Sequence, residues 1–101
     1  MLFAITLLDK PERGHLRTER RPQHLDYLGR VADRIAFAGP LTSDDGQKMI
    51  GSLLVIDFPS RSAAQAWLAD EPYTRAGLYA STAVYPFANR WRQRTGFPDP
   101  A

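Results

Sequence analysis

Apolar positions follow two different periods along this chain, and the switches between them mark its elements. Residues 2–8, LFAITLL, are rich in strand formers, contain no breaker and read as a first strand. Residues 9–20 are charged and hold Pro11 and Gly14, which reads as a loop. From 21 to 36 the spacing turns helical: Leu25, Leu28, Ala32 and Ile35 form one stripe with Val31 beside it, while Asp26, Arg30, Asp33 and Arg34 face away. Pro22 suits the first helical position, where its missing N–H has no partner to lose, and Gly39-Pro40 marks the latest possible stop. A short strand over 36–41 leads to a turn at Asp45-Gly46 and then to the longest strand, 49–58. PSRSAAQAWLAD opens a second helix, with Ser62 and Gln65 at capping-box spacing. It ends near Asp70, because Glu71 precedes Pro72 and is pushed out of the helical region. YTRAGLY adds one turn before Gly77. ASTAVYPF, residues 80–87, is the last strand, and Pro86 points to a sheet edge.

The resulting order is β-α-β-β-α-β, the split βαβ or ferredoxin-like arrangement: an α+β fold with two helices on one face of a four-stranded antiparallel sheet. Residues 1–88 make the domain, and 89–101 form a C-terminal extension rich in arginine. Both faces of the predicted sheet are apolar. Ile50, Leu54, Ile56 and Phe58 point one way, and Met49, Leu53 and Val55 the other; Leu2, Ala4 and Leu8 oppose Phe3, Ile5 and Leu7. A single-layer monomer would carry polar residues on its open face. A second copy packed sheet to sheet is the expected cover, with the C-terminal tail as the alternative.

Composition narrows the function classes. With 101 residues, 44% of them hydrophobic, the chain suits one domain with a real core. The absence of cysteine removes disulfides, thiolate metal sites and cysteine nucleophiles, and fits a cytoplasmic setting. No apolar run approaches the roughly 20 residues that span a bilayer, so no membrane role is expected. The formal charge is +2, and eleven of the thirteen basic residues are arginines. That mild excess suits a small anionic molecule at least as well as nucleic acid. The RNA-binding mode shared by this strand order fails on its own residues. The stacking positions of the third strand carry Leu53 and Val55, so no nucleic-acid partner is expected. Arg90, Arg92 and Arg94 remain as weak phosphate contacts at most.

His24 is the first candidate for chemistry. It borders the apolar stripe through Leu28, Val31 and Ile35, and in a helix beginning near Pro22 it occupies the first turn. There the dipole, Arg20 and Arg21 favour a neutral imidazole, which is the form a general base requires. A boundary histidine bonded to a backbone carbonyl is the competing structural reading. Asp70 and Glu71 stand at the end of a helix, where the dipole disfavours acids unless a cation is near. A carboxylate on one ring nitrogen would fix the tautomer of His24. Ser52 is the one polar residue on its face of the long strand, but IGSLL lacks the elbow of a serine nucleophile. Tyr27, Tyr73, Tyr79 and Tyr85 are able to line a cleft or simply to pack half-buried. His15 is too isolated for a metal site, and Asp44 and Asp45 serve a turn, so neither metal nor organic cofactor is expected.

RPQHLDYL, FAGPL, GSLLVIDF, AAQAWLADEPYTRAGLY and VYPF, taken in this order over about residues 1–88, resemble the YciI-like, or YCII-related, domain family. The resemblance implies a ferredoxin-like dimeric α+β barrel with a site centred on a histidine–carboxylate pair. It assigns that pair to His24 and Glu71, and places Gly39, Pro40, Gly51 and Ser52 beside the pocket. Members are similar to muconolactone isomerases, one branch removes chloride from a chlorinated muconolactone, and most have no assigned reaction. Glu71 departs from the aspartate common at its position.

The resulting expectation is a cofactor-independent enzyme of lyase or isomerase type. His24 removes a proton beside a carbonyl, Glu71 orients it, Ser52 and nearby amides hold the oxyanion, and Gly39, Pro40 and Tyr73 bind substrate. A non-catalytic metabolite-binding or accessory dimeric domain is the alternative. A cofactor-free oxygenase on the same barrel is a third possibility without a dedicated feature.

Overall fold

The computed structural model describes residues 1–91. Four strands, β1 (Leu2–Asp9), β2 (Ile35–Thr42), β3 (Met49–Asp57) and β4 (Tyr79–Phe87), form one antiparallel sheet in the order β2-β3-β1-β4. Three helices accompany it: α1 (Gly14–Gly29), α2 (Arg61–Ala69) and the single turn α3 (Pro72–Arg75). A 3-10 turn at Ala32–Arg34 leads into β2. This is the expected α+β order, with β4 at an edge as Pro86 indicated. The strand order places the sequentially remote β1 and β3 at the centre, where they are buried most completely.

The register explains which side of each strand meets the helices. Ile5 pairs with Leu54, Phe3 with Ile56 and Leu7 with Ser52, so these side chains share one face. Phe3, Ile5, Leu7, Leu54, Ile56 and Phe58 join Ala64 and Leu68 of α2 to make the main core. Leu28, Ile35, Trp67, Tyr79 and Val84 pack around it. A smaller cluster of Leu16, Tyr73 and Leu78 seals the end where α1 meets α3. The opposite sheet face keeps Leu8, Phe37, Tyr85 and Phe87 exposed, although Val55 at its centre is buried.

Helix α1 departs most from the sequence expectation. It begins at Gly14 and ends at Gly29, so residues 14–20 are helical and residues 30–36 are not. Pro22 lies inside the helix instead of at its start. Leu, Arg and Glu between positions 16 and 21 are strong helix formers and outweigh the charged, loop-like look of the segment. Pro22 removes only the bond to the Thr18 carbonyl, and both residues are exposed, so water can replace it. The proposed stripe therefore changes: Leu25 is 51% exposed, and the inward side is Leu16, Arg17, His24 and Leu28.

The second helix is capped two residues earlier than the Ser62–Gln65 box. Ser60 is the N-cap, its Oγ accepting from the Ala63 amide at 3.1 Å, and Ser62 bonds to that hydroxyl instead. The Asp45-Gly46 turn forms as expected, with Gly46 at φ +74° and its amide bonded to Ser43 O at 2.8 Å. Ser43 and the Gln47 amide both bond to Asp45 and hold its carboxyl below the usual range.

Gly51 fixes how closely β1, β2 and β3 approach beside Ser52. A Cβ there would stand 2.2 Å from Leu7 O and 3.3 Å from Leu41 Cδ1, while a Cβ at Gly29 meets nothing within 4 Å. Gly51→Ala is therefore expected to cost about 1–3 kcal/mol in urea unfolding through overpacking. Gly29→Ala should leave the midpoint unchanged or raise it. Equal midpoints for the two variants would contradict this account of the sheet.

Candidate functional site

The site is assembled where α1 crosses the end of the sheet that carries Ser52. His24 stands past the middle of α1, because the helix starts at Gly14. The N-terminal dipole therefore plays no part in its chemistry, contrary to the first-turn placement. What governs it is Glu71. His24 Nδ1 and Glu71 Oε1 form a short hydrogen bond, with the two side chains 12% and 0% exposed.

Glu71 is not the last residue of a helix but the N-cap of α3, with Pro72 at the first helical position. Its backbone is extended, as the following proline requires. Its Oε2 accepts from the Tyr73 and Thr74 amides at 3.0 and 3.1 Å. The carboxylate thus sits at a helix start, where negative charge is favoured, and the conflict read from the end of α2 disappears. Asp70 points outward and pairs loosely with Arg75 at 3.5 Å, both about 70% exposed, which contributes little.

Glu71 Oε2 is taken by two backbone donors and Oε1 faces Nδ1, and an ionised carboxylate acts only as an acceptor. Nδ1 must then carry a proton and donate it. In the neutral ring this leaves Nε2 with its lone pair. Tyr73 fixes the ring plane by stacking on His24 at 4.1 Å between centroids and 16° between planes. Its hydroxyl donates to Arg17 O at 3.0 Å, so Tyr73 offers the cavity a ring face and not a free donor. Burial pushes the Tyr73 phenol up, against the pull of Arg17 and Arg21.

Arg17 is the residue the sequence reading missed. Its Nε and Nη2 grip Asp9 at 2.7 and 2.9 Å, and Nη2 also donates to Gly51 O at 2.7 Å and Ser52 Oγ at 3.1 Å. The side chains of the ion pair are only 10% and 7% exposed. Burial works against the guanidinium charge, but the bonds and charge of Asp9 outweigh it and raise the Arg17 pKa. One side chain thereby ties α1 to both central strands. The detectable signal was the spacing of Arg17, Arg21, His24 and Leu28, which lie on one face once the helix starts at Gly14. Tyr79 contributes a buried hydroxyl close to Ser52 that makes no hydrogen bond among the described residues. Burial pushes that phenol strongly upward.

These groups surround a cavity of about 300 Å³. His24, Ser52, Gly39, Pro40 and Tyr73 all line it, so the sequence-selected residues come together. Pro40 and Ala38 reach it from β2, and Leu25, Leu28, Met49 and Leu54 give it apolar walls. Arg17 and Arg21 supply its positive charge. Glu71 lies behind His24 and is absent from the wall, as an orienting group would be. Ser52 is 3% exposed and its oxygen already accepts from Arg17. His15 and Asp45 stand elsewhere, on the exposed start of α1 and in the β2–β3 turn. Arg92 and Arg94 lie outside the described residues.

Comparisons with known proteins identify the family of the chain. The family model described as YCII-related domain matches residues 1–88. Protein YciI of Escherichia coli O6:H1 is 36% identical over 94 residues, covering 86% of this chain and 96% of that protein. An uncharacterized protein of Haemophilus influenzae is 33% identical over the same coverage. Among solved structures, 5-chloro-2-hydroxyhydroquinone dehydrochlorinase (TftG) of Burkholderia phenoliruptrix, in complex with 2,5-dihydroxybenzoquinone, superposes with a TM-score of 0.77. It is 32% identical, with 93% of this chain and 96% of that one covered. The chain belongs to the YCII-related domain family.

Proposed function

We propose that this protein is a cofactor-independent enzyme of the lyase or isomerase type, acting on a small anionic carbonyl compound with His24 as general base. The observation that carries this reading is the buried Glu71 on Nδ1 of His24, which leaves Nε2 for the cavity. The similarity to a dehydrochlorinase that binds a dihydroxyquinone supports the same substrate class: a small, planar, oxygen-rich ring.

In the proposed step, Nε2 takes the proton from a carbon next to a carbonyl. The C–H electrons move toward the carbonyl oxygen and create an enolate. If the neighbouring carbon carries chloride, the electrons return to form a C=C bond and chloride departs with the C–Cl pair. Without a leaving group, His24 hands the proton to another carbon and the product is an isomer. Glu71 stabilises the imidazolium formed in between and holds the ring in place. The Ser52 hydroxyl and the guanidinium of Arg21, both on the cavity wall, are suited to the developing negative oxygen.

The open sheet face completes the proposal. Leu8, Phe37, Tyr85 and Phe87 are 38–64% exposed on it, a patch too apolar to be left bare. We propose a second copy as its cover, face to face about a two-fold axis, because a sheet face is self-complementary.

Two measurements test these statements. Chloride release from a β-chloro keto acid, or proton exchange at the α-carbon of a related keto acid, is expected from the wild-type protein. It should fall about 100- to 10,000-fold in His24→Gln, without loss of fold by circular dichroism. Glu71→Ala should lose both activity and about 1–3 kcal/mol of stability, since two amides and a ring nitrogen lose their acceptor. Full turnover in His24→Gln would end the catalytic reading, whereas tight binding without turnover in the wild type would favour a metabolite-binding domain. Separately, sedimentation should give a dimer for the wild type and a monomer for Tyr85→Glu. A monomeric wild type would refute the sheet-to-sheet arrangement.

A further inference from the structure

We infer that Arg21 docks the negative charge of the molecule that enters the His24 cavity, and that Arg17, although closer to the core, does not. The inference rests on the cavity being the site proposed above, and it adds which residue recognises the anion and where that anion must sit.

Two guanidiniums line the cavity, and their surroundings differ. Arg17 spends its Nε and Nη2 donors on Asp9, Gly51 O and Ser52 Oγ, and only Nη1 has no partner among the described residues. Its charge is neutralised by a carboxylate that is itself 7% exposed. Drawing Arg17 toward a ligand would strand Asp9 in the interior, which is strongly unfavourable. Arg21 has no acidic partner and no side-chain hydrogen bond among the described residues. Arg20 and Arg75 line a different groove, against Pro72, and do not compete for the same anion.

The placement of Arg21 is what the reaction needs. Arg21 and His24 are three residues apart on α1, so their Cβ atoms are about 5–6 Å apart on one helix face. Pro22 between them points outward and leaves that face open. An oxygen held by Arg21 sets the adjoining ring carbons beside Nε2, within the width of a single six-membered ring. Arg21 is exposed, and its charge is screened by solvent. A planar ligand covered by Leu25 and Met49 would exclude water and strengthen the contact. The ligand class that follows is a small planar molecule with an ionised oxygen one or two bonds from its acidic carbon. A carboxylate and an ionised hydroxyquinone both qualify.

The test uses the full chain and two probes of one skeleton: 2,5-dihydroxybenzoquinone, an anion at neutral pH, and its neutral dimethyl ether. Arg21→Gln should weaken the anion about 10- to 100-fold by calorimetry, the range for a lost charge-assisted bond, and leave the ether unchanged. Arg21→Lys should fall between Arg21→Gln and the wild type, since it keeps charge and loses the planar fork. Arg20→Gln removes the same charge beside another groove and should change neither probe by more than about two-fold. Wild-type affinity for the anion in Arg21→Gln, an equal loss for both probes, or no binding of the anion by the wild type would each overturn the inference. These outcomes are separate from the reaction itself. Anion binding that follows Arg21 while His24→Gln keeps full turnover would sink the proposed base and leave the docking residue standing.

Discussion

A buried carboxylate dictates the design of this site. Glu71 has no exposed surface, and a charge in that position is tolerable only when every lone pair facing the protein has a donor. Two backbone amides of α3 supply donors on one oxygen, and His24 supplies the third on the other. The helix start, the proline that sets the backbone of Glu71 and the tautomer of the histidine are thus parts of one solution. Remove the imidazole and an acceptor is left unpaired; remove the carboxylate and α3 loses its cap.

The same economy appears on the other side of the cavity. Arg17 reaches from α1 to the end of β1 and to the Gly51–Ser52 step of β3, and its bonds to Asp9 make it rigid. Tyr73 then links the two halves, with its ring on His24 and its hydroxyl on the Arg17 carbonyl. The helix that carries His24 is therefore anchored both to the sheet and to α3. A general base needs that kind of support, because small displacements of a reacting nitrogen are expensive in rate.

Much of this was legible in the residues, and the failures have physical causes. The strands announced themselves by apolar composition, and Pro86 marked β4 as an edge strand. His24, Glu71, Ser52, Gly39, Pro40 and Tyr73 were selected from sequence and do meet around one cavity, with Glu71 one layer behind. The extent of α1 was misread because Pro22 looks like a helix start, whereas an exposed proline can sit within a helix whose freed carbonyl is hydrated. That single shift hid Arg17, since a residue assigned to a loop has no face. Glu71 looked unfavourable at the end of α2 because the extra turn was read from Tyr73 onward, whereas α3 begins at Pro72 and makes Glu71 its N-cap. Asp9 and Tyr79 come from strand ends far apart in sequence, and only the antiparallel register of β1 with β4 brings them together.

The central claim is that Glu71 holds His24 with its proton on Nδ1 and its lone pair on Nε2. Nitrogen-15 NMR of the imidazole, with the ring neutral and the wild-type protein selectively labelled, reads this directly. The account predicts a protonated Nδ1 carrying a strongly deshielded proton, an unprotonated Nε2, and loss of that pattern in Glu71→Ala. A neutral ring protonated at Nε2 would contradict it, because the nitrogen not bonded to Glu71 would then have no lone pair with which to act as a base.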